Sequence, residues 1–185
     1  MRSLINRNLQ GKKIIILFIV TSIIYVIMLT ITIPKVMSFS GGMKILDLIP
    51  TGYSPDYVNS LMGALDEEGR YAYLYNQIPL DMVYPLLFAI SWCLIFVYFL
   101  QKAGIKESIL FYLSFLPLLA GFFDYCENFG IISIITQYPD NPIILSQITN
   151  VFSILKSFLS TIYYISLILL LVVIGIRYIS AKVKT

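Results

Sequence analysis

The chain has 185 residues, 58% hydrophobic and 12% charged, with a net charge of +3, no histidine and a mean hydropathy of +0.85. A soluble domain sits nearer half apolar and a quarter charged, so the composition is that of one membrane domain with no room for a separate soluble one. The small net charge points to no nucleic-acid partner, and the lack of histidine removes the commonest metal ligand, histidine-ligated haem and the usual base of a Ser–His or Cys–His pair.

Residues 1–13 are polar and basic, with Arg2, Arg7, Lys12 and Lys13. The run 14–33 that follows is apolar or hydroxyl-bearing throughout and long enough to span a bilayer. It exceeds the ~7–15-residue core of a signal peptide. Pro34-Lys35-Val36 offers no small-residue cleavage site, so a retained first helix is expected. Residues 34–79 leave the apolar regime and form an outer segment. There Ser54, Pro55 and Asp56 read as an N-cap, a first helical position and a dipole-complementing acid. Val58, Leu61, Met62 and Leu65 then line one face of a short amphipathic helix. A second short helix is expected from Asp66-Glu67-Glu68, carrying Arg70, Tyr71, Tyr73 and Tyr75. Tyrosines in that setting anchor at the interface, and the two helices are expected to lie on the membrane surface as a lid.

The second span covers 80–100, with Asp81, Tyr84, Phe88 and Trp92 on roughly one face and Pro85 near its start. A turn holding Lys102, Gly104 and Lys106 leads to the third span, 108–136, which is overlong, so tilt, an overhang or a kink at Pro117 is expected. A tight turn at 138–142 precedes the fourth span, 146–179, whose end carries Arg177, Lys182 and Lys184. The fold class is therefore an all-α membrane protein, a four-transmembrane-helix bundle with short amphipathic helices in the first outer loop. Basic residues gather in the N-terminal arm, the 102–106 turn and the C-terminal tail, while 34–79 is net acidic. The positive-inside rule then places both termini in the cytoplasm, at the cell membrane. Cys93 and Cys126 fall in different spans at different depths and read as small buried thiols rather than a disulfide.

The third span carries the polar group that organises the rest. Asp124, Glu127 and Asn128 stand at i, i+3 and i+4, so they share one helix face. Carboxylates at membrane depth cost roughly 2.5–3.5 kcal/mol each on insertion scales and face a partner or a watery cavity. Lys156, two to three turns into the fourth span, reaches a similar depth, within a stripe of Thr149, Ser153, Ser160 and Tyr164. Asp81 sits at the mouth of the second span, and Gly121 is small enough for close helix approach. One outward-opening polar pocket accommodates these placements, with Arg70 at its edge. The candidate ligand-binding residues are Asp81, Asp124, Glu127, Asn128, Lys156 and Arg70. A lone Lys156–Asp124 or Lys156–Glu127 pair would serve as a helix clamp; the surplus of ionisable groups favours a site.

The succession of Gly52-Tyr53-Ser54-Pro55, Ala64-Leu65-Asp66-Glu67-Glu68-Gly69-Arg70, Leu80-Asp81 with Tyr84-Pro85, and Asp124 with Glu127-Asn128 resembles a pattern in small uncharacterised bacterial four-span membrane proteins. The resemblance implies the segment boundaries over the outer segment and spans two and three, brings Arg70 and Asp81 forward, and carries no activity. The expected function is binding of a small amphipathic or lipid-like ligand, with a transport role as a nearby variant. Four spans are few for a transporter, so that variant expects a homodimer. The alternatives are an intramembrane lipid-modifying enzyme using Asp/Glu/Lys acid–base chemistry, or a structural membrane subunit. The partners expected are the bilayer and that ligand; no cofactor or metal is called for, although the enzyme reading admits a divalent ion on the same oxygens.

Overall fold

Each long apolar run forms a helix in the computed structural model, which describes residues 10–105, 109–140 and 142–183, with side chains described as far as Ser180. Arg2, Arg7, Lys106, Ser108, Lys184 and the side chain of Lys182 fall outside these described residues. Helix α1 runs Gly11–Phe39, α2 Pro55–Ala64, α3 Glu67–Lys102, α4 Leu116–Gln137 and α5 Ile143–Val183. Four of them, α1, α3, α4 with the 3-10 turn before it, and α5, are long and apolar enough to cross a membrane. Among the described residues there is no strand, so the protein is an all-α multi-pass membrane protein built as a four-helix bundle.

Two boundaries differ from those read off the sequence at a proline. The first helix does not end at Ile33 but continues through Pro34 to Phe39, with a π-helical segment at Met28–Thr32 just before the proline. The second outer helix is not a separate element. It starts at its Asp66 cap, whose carboxylate accepts from the Gly69 N–H at 2.6 Å, and runs through a π-helical segment at Tyr73–Gln77 and past Pro79 into the second span. The result is one helix of 36 residues. A proline lacks the N–H that its preceding turn would accept and crowds the carbonyl four residues back. The wider π-turn sits where that ladder would otherwise break. The two π-segments face each other, for Thr32 of one hydrogen-bonds Gln77 of the other, both buried.

Pro117 behaves differently. It lies in the first turn of α4, after a 3-10 segment at Ile109–Phe115, where a helical N–H is not needed. Farther along, Gly121 lets α4 lie against α3. A Cβ there would come within 2.9 Å of the Pro85 carbonyl oxygen and 3.2 Å of the Ala89 Cβ.

Helix α2 is capped as expected, the Ser54 hydroxyl accepting from the Tyr57 N–H at 3.1 Å. Its apolar face is not laid on a lipid surface, however. Val58, Leu61, Met62 and Leu65 are fully buried against Ile131 and Ile134 of α4 and Met28 and Val36 of α1. The segment is a plug in one end of the bundle, because its apolar face finds protein to pack on. At the opposite end Phe96, Leu100, Tyr163, Leu167 and Leu170 form a second apolar cluster. Basic residues gather there. Arg177 donates to the Ala103 carbonyl at 2.6 Å, and Lys102 stands over the Tyr98 ring.

Candidate functional site

The site starts from Lys156 on α5. Its Nζ lies 3.0 Å from Asp124 Oδ1 on α4 and also pairs with Glu127 one turn along the same helix. Glu127 is completely buried and Asp124 nearly so, and the two ion pairs bring all three together. Beside them opens a cleft of about 330 Å³, walled by α1, α3, α4 and α5 and closed at one side by the loop at 47–50. Asp47, Asp81, Asp124 and Lys156 supply its charge. Among the described residues lining it, Lys156 is the sole basic one.

The six residues singled out in the sequence separate into three groups. Asp81, Asp124 and Lys156 line the cleft. Glu127 and Asn128 stand behind it, fully buried. Asn128 has a structural task, as its Nδ2 donates to the Asp81 carbonyl at 2.8 Å. That carbonyl would normally accept from the residue four positions on, which is Pro85 and has no N–H to give. The carboxamide therefore supplies the bond that the proline removes. Arg70 is in neither group. Its guanidinium donates to the carbonyls of Met62 and Leu65 at the end of α2 and lies 4.5 Å over the Tyr138 ring, pinning the plug rather than reaching the cleft.

Asp47 joins the site although the sequence reading passed over it. Ile45 and Leu46 are fully buried, and the 3-10 turn Leu46–Leu48 brings the following aspartate to the cleft. Tyr73 donates its phenol proton to Asp47 Oδ2 at 2.6 Å. The Asp47 and Asp81 carboxyl groups lie side by side and hydrogen-bond each other. The signal was present in the chain as an aspartate flanked by Ile45-Leu46 and Leu48-Ile49, an acid carried into an apolar setting. Tyr73 likewise differs from its neighbours. Tyr71 and Tyr75 are 63% and 58% exposed and touch each other, whereas Tyr73 is wholly buried.

The outer loop is fastened to the site through Gly52 and Tyr53. Gly52 has φ +91°, and a Cβ on it would lie 2.6 Å from Asn150 Oδ1, so both conformation and space call for glycine. Asn150 Oδ1 accepts from the Tyr53 N–H at 2.7 Å. Burial pushes the Tyr53 phenol well above its ordinary pKa, the Glu127 and Asp47 carboxyls add to that, and Lys156 opposes it.

The walls are aromatic. Tyr25 and Tyr84 stack at 5.4 Å, and Phe88 and Tyr164 continue the lining. Phe88 leads to Trp92, whose ring is 6.2 Å away and meets Phe18 edge-on. Trp92 and Phe18 also line a second, almost purely apolar groove of about 500 Å³, bounded by Ile14, Tyr98 and Leu171. Cleft and groove have α1, α3 and α5 in common and succeed each other along them. Among the described residues no cluster of Cys, Asp and Glu has the arrangement of a metal site. Compared with known proteins, the chain matches no family model, no curated protein and no solved structure.

Proposed function

We propose that the protein binds a small amphipathic, lipid-like molecule in the membrane, its polar head in the acidic cleft and its apolar tail in the groove. The observation that carries this reading is the alignment of the two cavities along α1, α3 and α5, joined by the Phe88–Trp92 ladder. Small-molecule sites combine apolar walls with a few convergent polar groups. From Tyr84 to Phe99 α3 advances about 22 Å at ~1.5 Å per residue, which suits a head followed by an acyl-sized tail. The orientation that goes with this reading has both termini in the cytoplasm and the cleft opening outward. Lys12, Lys13, Lys102 and Arg177 all lie toward the end remote from the plug, and the positive-inside rule assigns that end to the cytoplasm.

Native mass spectrometry after gentle extraction tests the binding. A retained lipid-sized mass is expected on the natural protein and is expected to be lost when Leu171→Trp and Ile15→Trp fill the groove. Absence of any retained mass, with unchanged spectra for the filled groove, removes the reading. Labelling of a cysteine introduced at Ser60, an exposed position on α2, tests the orientation. Modification by an impermeant reagent from outside intact cells is expected, and protection there with labelling from inside reverses it.

A further inference from the structure

We infer that the head group received by the cleft is neutral and polyhydroxylated, a sugar or a glycerol carried on an apolar tail. The inference rests on the binding reading above and specifies its head. The charged groups around the cleft already face partners within the protein. Lys156 is engaged by Asp124 and Glu127 together, Asp47 accepts from the Tyr73 phenol, and the Asp81 carboxyl hydrogen-bonds that of Asp47. An anionic head would meet a lysine already held by two carboxylates, and a cationic head would meet carboxyls that have found donors or each other. What the walls leave over is hydroxyl. Tyr25, Tyr84, Ser157, Ser160 and Tyr164 line the cleft, and among the described residues none of their side chains makes a hydrogen bond. Neighbours on α5 show the contrast. Thr161 gives its hydroxyl proton to the Ser157 carbonyl at 2.8 Å, and Tyr163 donates to the Trp92 carbonyl.

These hydroxyls gather through helix periodicity and packing together. Ser157, Ser160 and Tyr164 stand at i, i+3 and i+7, so they share one face of α5 just past Lys156. Tyr25 of α1 and Tyr84 of α3 complete the set, their rings stacked at 5.4 Å. The Tyr84 phenol is set among those of Tyr25 and Tyr164 and the carboxyls of Asp81 and Asp124. A hydroxyl both donates and accepts, whereas an ammonium group only donates and a carboxylate only accepts. A head with several adjacent hydroxyls therefore matches this wall in both senses. The aromatic rings suit the same occupant, because the negative face of Tyr84, Phe88 or Tyr164 attracts the weakly positive C–H face of a sugar or glycerol. At about 330 Å³ the cleft stands at the small end of the ~300–1,000 Å³ range of small-molecule sites, with room for one such head and not for a longer chain of them. Two sources share the favoured chemistry, a lipid with a sugar head and a lipid with a glycerol head.

Five probes of equal tail length separate the possibilities: dodecyl glucoside, dodecylglycerol, dodecanol, dodecylamine and dodecanoate. Thermal unfolding and calorimetric titration would use the full chain in nanodiscs of phosphatidylcholine, whose head carries no hydroxyl. Dodecyl glucoside or dodecylglycerol is expected to bind saturably and at least tenfold more tightly than the other three, and the tighter of the two names the source. Tyr84→Phe keeps the ring and removes the hydroxyl. That variant and, in case it folds poorly, Ser160→Ala are expected to remove most of the preference. Preference for dodecylamine or dodecanoate overturns the neutral head outright. Equal binding of all five probes overturns the hydroxylated head, and amphiphile binding then stands if filling the groove abolishes it. A glucoside or glycerol preference that both variants leave unchanged overturns the inference as well, since these hydroxyls would not be what reads the head. No binding by any probe brings down the binding reading itself.

Discussion

The two ends of the bundle use the same helices to opposite effect. Toward the plug, α4 and α5 meet through charge, with Lys156 between Asp124 and Glu127, and the four long helices leave a cleft. At the basic end α3 and α5 meet through Phe96, Leu100, Tyr163, Leu167 and Leu170, with hydrogen bonds from the Tyr163 hydroxyl to the Trp92 carbonyl at 2.7 Å and from Arg177 to the Ala103 carbonyl. Apolar side chains can repack after a small change. Paired charges in a poor solvent cannot, because losing one partner strands the other. The polar end is therefore where single substitutions reach furthest, and where structure and binding are hardest to separate.

The largest effect is expected from Lys156→Met, which leaves the fully buried Glu127 without its counter-charge. Breaking a buried pair from one side costs about 3–5 kcal/mol, read as a fall in thermal unfolding temperature in detergent. The triple variant Lys156→Met, Asp124→Asn, Glu127→Gln is expected to recover most of that loss. If it does, and binding is still absent, the cluster is a site as well as a clamp; a stable triple variant with full ligand retention reduces it to a clamp.

A smaller loss, about 1–3 kcal/mol, is expected for Asn128→Leu, which takes the donor from the Asp81 carbonyl. The cost is expected to shrink in a Pro85→Ala background, where a main-chain N–H is restored to serve that carbonyl. A double-mutant cycle with no coupling would falsify the assignment of Asn128 to the proline gap.

Glycines sharpen the contrast between the ends. Gly121→Leu forces a side chain onto the Pro85 carbonyl and is expected to cost about 1–3 kcal/mol or to separate α3 from α4. Gly175, on the basic stretch of α5, has open space around its Cβ direction. Gly175→Ala is expected to leave stability unchanged or to raise it by up to about 1 kcal/mol through helix propensity. Equal penalties at the two glycines, measured by the same thermal assay, would contradict the packing described. Between these cases, Tyr163→Phe removes one neutral hydrogen bond and is expected to cost about 1 kcal/mol.

The sequence by itself determined the four spans, the cap at Ser54, the apolar face of α2 and the common depth of Asp124, Glu127 and Lys156. Each of these rests on local pattern, on run length, periodicity or rise per residue, which the chain carries without reference to its partners. It misplaced the C-terminal end of α1 and the separateness of the second outer helix because a proline read alone means a stop. The π-segments that carry both helices past Pro34 and Pro79 meet through Thr32 and Gln77, residues 45 positions apart. Tertiary structure alone sorted the polar residues by task. Asn128 within a span and Arg70 beside one read from the sequence as polar candidates like Asp81, yet they complete backbone hydrogen bonds, while Asp81 lines the cleft with its carboxyl against that of Asp47. Asp47 entered the site through a loop whose path is set by where Ile45 and Leu46 bury. What a polar group does in a bilayer depends on which donor or acceptor lies opposite it, and that partner comes from another part of the chain, where no local pattern can name it.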